Sequence, residues 1–163
     1  MTGAITLREG GADDIAALMQ VMDREFDPAF GEAWNRGQCL GILSLPDVWL
    51  SFADVEQDGQ GLTIGFALSR LLVDDAELLL LAVDPAWRHQ GIAGALIERT
   101  CTIASARGAH RLLLEMREGN PAHLLYQRTG FGEIGRRQGY YRGGDGRIHD
   151  ALTLSRSLAH ANG

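Results

Sequence analysis

Apolar and polar positions along the chain alternate with two different periods, and the switches between them mark out a succession of short elements. Ile5-Thr6-Leu7-Arg8 alternates as a strand does. Asp13 or Asp14 then caps a predicted helix whose apolar positions Ile15, Leu18, Met19, Met22 and Phe26 recur at helical spacing. Between Asp27 and Pro46 the pattern is interrupted by Pro28, Gly31, Gly37 and Gly41, which fits one or two short helices. Val48 to Glu56 and Leu62 to Leu72 flank a Gly-rich turn, Gln57 to Gly61, and predict an antiparallel hairpin.

A turn at Val73-Asp74-Asp75 leads to a strand from Glu77 to Val83. Its run Leu78 to Val83 is continuously apolar, as suits a central strand buried on both faces. Gly91 to Arg107 has helical spacing, with Ile92, Leu96, Ile97 and Ile103 on one side and Gly108 as terminator. Arg111 to Met116 is the next strand, so strand, helix and strand imply a right-handed crossover and a parallel pair. A helix from Pro121 to Thr129, stopped by Gly130, precedes two last strands, Phe131 to Tyr141 and Arg147 to Ser155, joined through Gly143 to Gly146. The expected fold class is α/β (α+β): a mixed, mostly antiparallel sheet with a central parallel pair and helices on both faces. The tail after about residue 157 shows no such pattern and is expected to be disordered.

Length and composition narrow the classes of function. A chain of 163 residues is sized for one domain, 1–163, and 45% hydrophobic with 22% charged residues is the balance of a soluble globular protein. No apolar run approaches the roughly 18 residues of a membrane span, and the start lacks the basic-then-apolar pattern of a signal peptide. The expectation is a cytoplasmic protein with no membrane partner. Its two cysteines, Cys39 and Cys101, lie in separate apolar stretches and read as buried thiols. His89, His110, His123, His149 and His160 show no metal-ligand spacing, so no metal is expected. A net charge of -6 speaks against nucleic acid and is compatible with a cationic partner.

Leu78 to Leu96 is the most informative stretch, because a buried strand passes through a Pro-containing loop straight into a Gly-bearing helix start. Helix N-termini carry unpaired N–H groups and partial positive charge, and they bind phosphates where the backbone is accessible. Gly91, Ala93 and Gly94 keep side chains out of the way, and Arg88 and His89 add charge at the rim. By composition alone, a packing turn explains the glycines equally well.

Arg88-His89-Gln90-Gly91-Ile92-Ala93 resembles the [Gln/Arg]-x-x-Gly-x-[Gly/Ala] signature of the GNAT acetyltransferase superfamily, in its place after Ala82-Val83-Asp84-Pro85. The stretch Leu114 to Arg117 with Asn120, Leu125-Tyr126 and Gly130-Phe131 is similar to that superfamily's later region. Tyr140-Tyr141, Asp145-Gly146-Arg147 and Asp150-Ala151 resemble the ribosomal-protein-alanine, or RimI, type. The resemblance implies an acetyl-CoA-dependent N-acetyltransferase. Its cofactor would be held by the main chain at Leu81, Ala82 and Val83, by Arg88, His89, Gln90, Gly91, Ile92, Ala93 and Gly94, and by Asn120, which as Asn-Pro is also a plain helix cap. The thioester carbonyl would meet an N–H near Leu81 to Val83.

The resemblance also makes Glu115 the general base, although from position alone it is an ordinary strand-end carboxylate or a partner of Arg117. Tyr126 becomes the acid that protonates the thiolate, where its structural alternative is core packing. The RimI type separates its Asn and Tyr by seven positions, whereas Asn120 and Tyr126 are six apart, a difference of about 100° of helix rotation. Strict alternation lets at most one of Tyr140 and Tyr141 be buried in the acceptor groove, and Trp34 and Trp49 are core or groove wall. The acceptor is a protein N-terminus or a small-molecule amine. An α-amine is roughly one part in eight neutral at pH 7, against about one in 2,500 for lysine, which favours the former. A catalytically silent acyl-CoA-binding module is the alternative from another class.

Overall fold

The computed structural model describes residues 4–26, 33–143 and 146–159. Seven strands form one sheet: β1 (Ile5–Gly10), β2 (Val48–Gln57), β3 (Gln60–Leu72), β4 (Asp75–Val83), β5 (Arg111–Arg117), β6 (Gly132–Arg142) and β7 (Ile148–Ser157). Their order is β1-β2-β3-β4-β5-β7-β6. β4 and β5 run parallel and every other neighbouring pair is antiparallel, in agreement with the expected mixed sheet. Asp58 and Gly59 both take positive φ, 53° and 78°, so the β2–β3 turn is the tight two-residue kind that matches strand twist and is shorter than the five-residue turn expected.

Four helices flank the sheet: α1 (Ile15–Glu25), α2 (Arg36–Leu43), α3 (Ile92–Ala106) and α4 (His123–Arg128). Leu18, Val21 and Met22 of α1 are fully buried against Phe52, Phe66 and Leu68 on one face of the sheet. Leu96, Ile97 and Ala104 of α3 pack against Ile64, Leu112 and Leu154 on the other, and each buried Leu or Ile side chain contributes roughly 1.5–3 kcal/mol. Both cysteines are free and buried, Cys39 on the α2 side and Cys101 on α3. No helix among the described residues is long and apolar enough to cross a membrane.

Several boundaries differ from expectation for local reasons. Asp14 precedes α1, but its carboxylate accepts from Gly11 N–H (3.0 Å) and Arg8 (3.3 Å) rather than capping the helix. Among its described residues the ambiguous stretch holds one short helix, α2, begun by a capping box in which Gln38 N–H donates to Asn35 Oδ1 at 2.8 Å and Asn35 N–H to Gln38 Oε1 at 2.9 Å. That Asn-x-x-Gln signal was present in the sequence. Residues 27–32 lie outside the described residues, as do 144–145 in the last hairpin. Leu158, expected in a disordered tail, is 9% exposed in the core, where its N–H donates to His110 O (2.9 Å); residues 160–163 lie outside the described residues.

The sheet has one discontinuity. β4 and β5 are in register for three pairs, Ala76 with Leu112, Glu77 with Leu113 and Leu78 with Leu114, and then part. A bulge sits at that point: Leu68 of β3 faces Leu80 and Ser69 faces Leu78, so Leu79 is the extra residue. Beyond it β4 continues to Val83 and β5 to Arg117, so the C-terminal halves of two parallel strands diverge in the middle of the sheet.

Candidate active site

The parting opens at the carboxyl ends of parallel strands, the usual ligand position in a sheet with crossover helices. On its β4 side, Leu80, Leu81, Ala82 and Val83 pair with β3 along one edge, which leaves the other edge of the strand facing the gap. Alternate main-chain N–H groups of this stretch therefore point where β5 no longer reaches. The Leu79 bulge lies two residues before Leu81, next to the segment expected to offer an N–H to a carbonyl.

The chain leaves β4 through Asp84 and a single 3-10 turn, Pro85–Trp87, held by Ala86 N–H donating to Asp84 Oδ1 at 3.0 Å. His89 (φ 64°) and Gly91 (φ 78°) both sit in the left-handed region, a conformation that costs a non-glycine residue about 1–3 kcal/mol and clusters at functional sites. Gly91 is the N-cap of α3 and offers no side-chain cap, and the first intrahelical bond is Ala95 N–H to Gly91 O at 3.0 Å. The N–H groups of Ile92, Ala93 and Gly94 thus face outward at the positive end of a 15-residue helix. A Cβ built on Gly91 or Gly94 meets no described atom within 4 Å, so the approach is open. Gly65 sets the depth of this corner: a Cβ there would stand 3.0 Å from Ala82 O and 3.3 Å from Leu96, so only glycine lets α3 press against the end of β4.

Arg88 and His89 were expected at the rim as added positive charge. Arg88 is instead engaged, Nη2 to Glu25 Oε2 at 2.7 Å, and next to it Arg24 reaches Asp84 Oδ2 at 2.6 Å. These two pairs brace the end of α1 to the loop that starts α3. Burial pushes the Glu25 carboxyl up from its ordinary value, outweighing the attraction of Arg88.

Glu115 stands on β5 beyond the parting, opposite Thr153 of β7. Its Oε1 is shielded from solvent and accepts no hydrogen bond from any described residue; Arg137 Nε is 3.7 Å away. The alternative partner Arg117 turns elsewhere, its Nη1 donating to Glu118 O at 3.2 Å. Because directly opposed antiparallel residues share a face, the pairs Glu115–Thr153, Thr153–Gly135, Arg117–Ala151, Ala151–Arg137 and His149–Tyr141 place all of these side chains on one side of the sheet, that of α1 and α2. Trp34, Gln38, Gly41, Ile42 and Leu45 line an open apolar depression of about 400 Å³ on that side. Trp49 belongs to the opposite core, 4% exposed, with the Arg107 guanidinium 4.7 Å above its ring.

Tyr140 and Tyr141 do not alternate as expected. Between Arg137, paired with Ala151, and Tyr141, paired with His149, three residues of β6 face the single residue Asp150. Gly139 takes φ 64° within this bulge and its N–H donates to Asp150 Oδ1 at 3.0 Å. The two tyrosine rings consequently meet edge to face at 5.2 Å instead of pointing to opposite faces, and Tyr140 remains 53% exposed.

Tyr126 lies across the sheet, in the α3-side core, edge-on to Phe131 at 5.6 Å. Asn120 precedes α4 rather than capping it directly. Its Oδ1 accepts from Ala122 N–H (2.9 Å) and its carbonyl from His123 N–H (3.1 Å), which makes residues 120–122 a turn and starts the helix at His123, later than expected. Glu115 and Tyr126 thus stand on opposite faces, and the parting of β4 and β5 is the opening between those faces. Among the described residues no group of three or more His, Cys, Asp and Glu side chains could hold a metal ion.

An acetyltransferase (GNAT) family model matches residues 15–131. The ribosomal protein bS18-alanine N-acetyltransferase of Haemophilus ducreyi is 36% identical over 123 residues, covering 75% of this chain and 81% of that protein. The crystal structure of the ribosomal-protein-S18-alanine N-acetyltransferase from Escherichia coli superposes with a TM-score of 0.82 at 28% identity, over 98% of this chain and 97% of that one. Arabidopsis thaliana NAA60 in complex with acetyl-CoA shares the fold, with a TM-score of 0.80 at 22% identity over 95% of this chain and 99% of that one.

Proposed function

The chain belongs to the acetyltransferase (GNAT) family and is an N-acetyltransferase, and from that premise we propose that it moves an acetyl group from acetyl-CoA to the N-terminal α-amine of a protein. One observation carries the assignment of the site: the parallel strands part beyond Leu78 and Leu114, with a helix N-terminus that lacks a side-chain cap at one side of the opening and, at the other, Glu115, whose Oε1 accepts no hydrogen bond from any described residue. In this scheme the N–H groups of Ile92, Ala93 and Gly94 hold the pyrophosphate, joined by the main chain of Arg88 to Gly91. Arg88 and His89 are secondary, because Arg88 must first leave Glu25. An N–H of Leu81 to Val83 on the open edge of β4 polarises the thioester carbonyl, and Asn120 helps seat the cofactor.

Glu115 takes the proton of the attacking amine, and the tetrahedral adduct collapses with release of the coenzyme thiolate, which Tyr126 protonates from the other face. The acceptor is the alanine N-terminus of a ribosomal protein, as in the relatives' names. The enzyme acts as one catalytic domain in the cytoplasm, without metal, membrane or nucleic acid.

Intact-mass detection of acetylation, with an Ala-initiated peptide and a polyamine as rival acceptors, tests this. Transfer to the peptide is expected; transfer to the polyamine alone would overturn the protein-acceptor assignment, and acetyl-CoA binding without any turnover would leave a silent acyl-CoA module. Replacing Glu115 by Gln should lower kcat by about 10²–10⁴ while the acetyl-CoA affinity holds. An undiminished rate would remove Glu115 from the mechanism.

A further inference from the structure

The face that carries Glu115 has a second charged group whose position is not accounted for by transfer chemistry. Arg137 arises two strands away, in the row Arg117–Ala151–Arg137, next to the row Glu115–Thr153–Gly135. Gly135, Ala151 and Thr153 are small, so nothing tall stands between the root of Arg137 and Glu115. The guanidinium crosses that floor diagonally, bringing Nε to 3.7 Å from Glu115 Oε1 while its Cζ lies 5.1 Å over the Tyr140 ring. Its start and its support both come from the three-for-one bulge of β6, which begins directly after Arg137 and presents Tyr140.

Two features distinguish this contact from a structural ion pair. At 3.7 Å it is outside hydrogen-bond length, and the Arg137 side chain is 62% exposed, so water and salt screen it and it is worth little. Glu115 Oε1 is nevertheless shielded and receives no hydrogen bond from any described residue. The carboxylate oxygen has a cation beside it and no donor on it. A protonated acceptor amine would supply the donor, and it carries the same charge as Arg137, so the two repel one another at a single oxygen.

We propose that Arg137 is a positioning residue of the acceptor site, a displaceable placeholder cation that rests against Glu115 on the Tyr140 ring and that the acceptor amine must push aside. The inference deepens the acetyl-transfer assignment above and rests on it. Acceptor binding is then an exchange of one cation for another at Glu115, and the cost of the exchange appears in the acceptor's KM. Cofactor binding, on the far side of the parting, is untouched.

Steady-state kinetics with an Ala-initiated peptide and acetyl-CoA, on wild type, Arg137→Gln and Arg137→Lys of matched Tm, provide the test. Arg137→Gln should lower the peptide KM by about two- to fivefold, the range of a screened ion pair, with its effect confined to that constant and the acetyl-CoA KM unaltered. Arg137→Lys should restore the wild-type value. Added methylguanidinium should compete with the peptide in the Gln variant and leave the acetyl-CoA KM unmoved. A peptide KM that is unchanged or raised in Arg137→Gln, or that falls equally in Arg137→Lys, would overturn the placeholder. A wild-type protein that acetylates no amine at all would instead sink the transfer assignment, and the placeholder with it.

Discussion

At the scale of single residues, the most informative group outside the proposed catalytic pair is Glu25. Its carboxyl is pushed up from the ordinary value because burial outweighs the attraction of Arg88. An acid whose folded pKa lies above its unfolded one is penalised once ionised, so stability falls as pH rises from the unfolded value through the folded one, and the penalty is complete above the folded value. Glu25→Gln, which mimics the protonated form, should be at least as stable as wild type at pH 7 and no different below pH 4, as Tm measurements at the two pH values would reveal. The same substitution releases Arg88 beside the N-terminus of α3 and should tighten acetyl-CoA binding, which calorimetry would detect; weaker binding would mean that the Glu25 brace is needed to shape the loop. Glu115 was singled out in the sequence by its motif neighbours, whereas Arg137 was not. Its proximity to Glu115 depends on two antiparallel registers and a bulge, and neither leaves a mark in local spacing.

Elements were legible where periodicity is strong and boundaries were not. The continuous apolar run of β4 marked a central strand, and the strand–helix–strand order around α3 fixed the parallel pair. Bulges escaped because each is a mismatch of count between two paired strands, among them Leu79 against β3, and residues 138–140 against Asp150 of β7. The second bulge is pinned by Asp150, whose carboxylate accepts from Gly139 N–H and from Arg136 Nη1 at 3.0 Å each, while Arg136 also meets Glu118 at 2.7 Å. The Gly139 N–H and then Arg136 hold the Asp150 carboxyl below its usual value, so the clamp is present at neutral pH and is lost only as pH falls through that lowered value. Asp150→Ala should loosen Tyr140 and the root of Arg137. The peptide KM should change while the acetyl-CoA KM stays, and unaltered peptide kinetics would show that the bulge holds its shape without the clamp.

For the whole molecule, the two cores lie on opposite faces, with α1 and α2 covering one and α3 and α4 the other. Ligand binding at the parting, as proposed, would add to stability by mass action. At 100 times its Kd, acetyl-CoA should contribute about 2.7 kcal/mol, which for a chain of this length raises Tm by roughly 5–11 °C. Thermal melts with and without the cofactor measure this directly. The mixed sheet was already written in the alternation of apolar runs. The proposed acceptor side was less so, because residues of β5, β6 and β7 are brought side by side there by strand pairing.

Among the described residues, three residue pairs, the His110 N–H to Asp74 O hydrogen bond (2.7 Å), the Arg111–Asp75 ion pair (3.1 Å) and the packing of α3 join strands β1 to β4 to the trio β5, β7 and β6. Past Leu78 and Leu114 both strand edges carry peptide groups with no neighbouring strand to satisfy them, and backbone groups shielded from solvent demand partners. A molecule lodged there does for the two plates what a missing strand would have done, riveting them along the one line where the chain left its own weaving unfinished. On the proposed reading the cofactor would be that molecule, and its binding would tie the two plates together at each turnover.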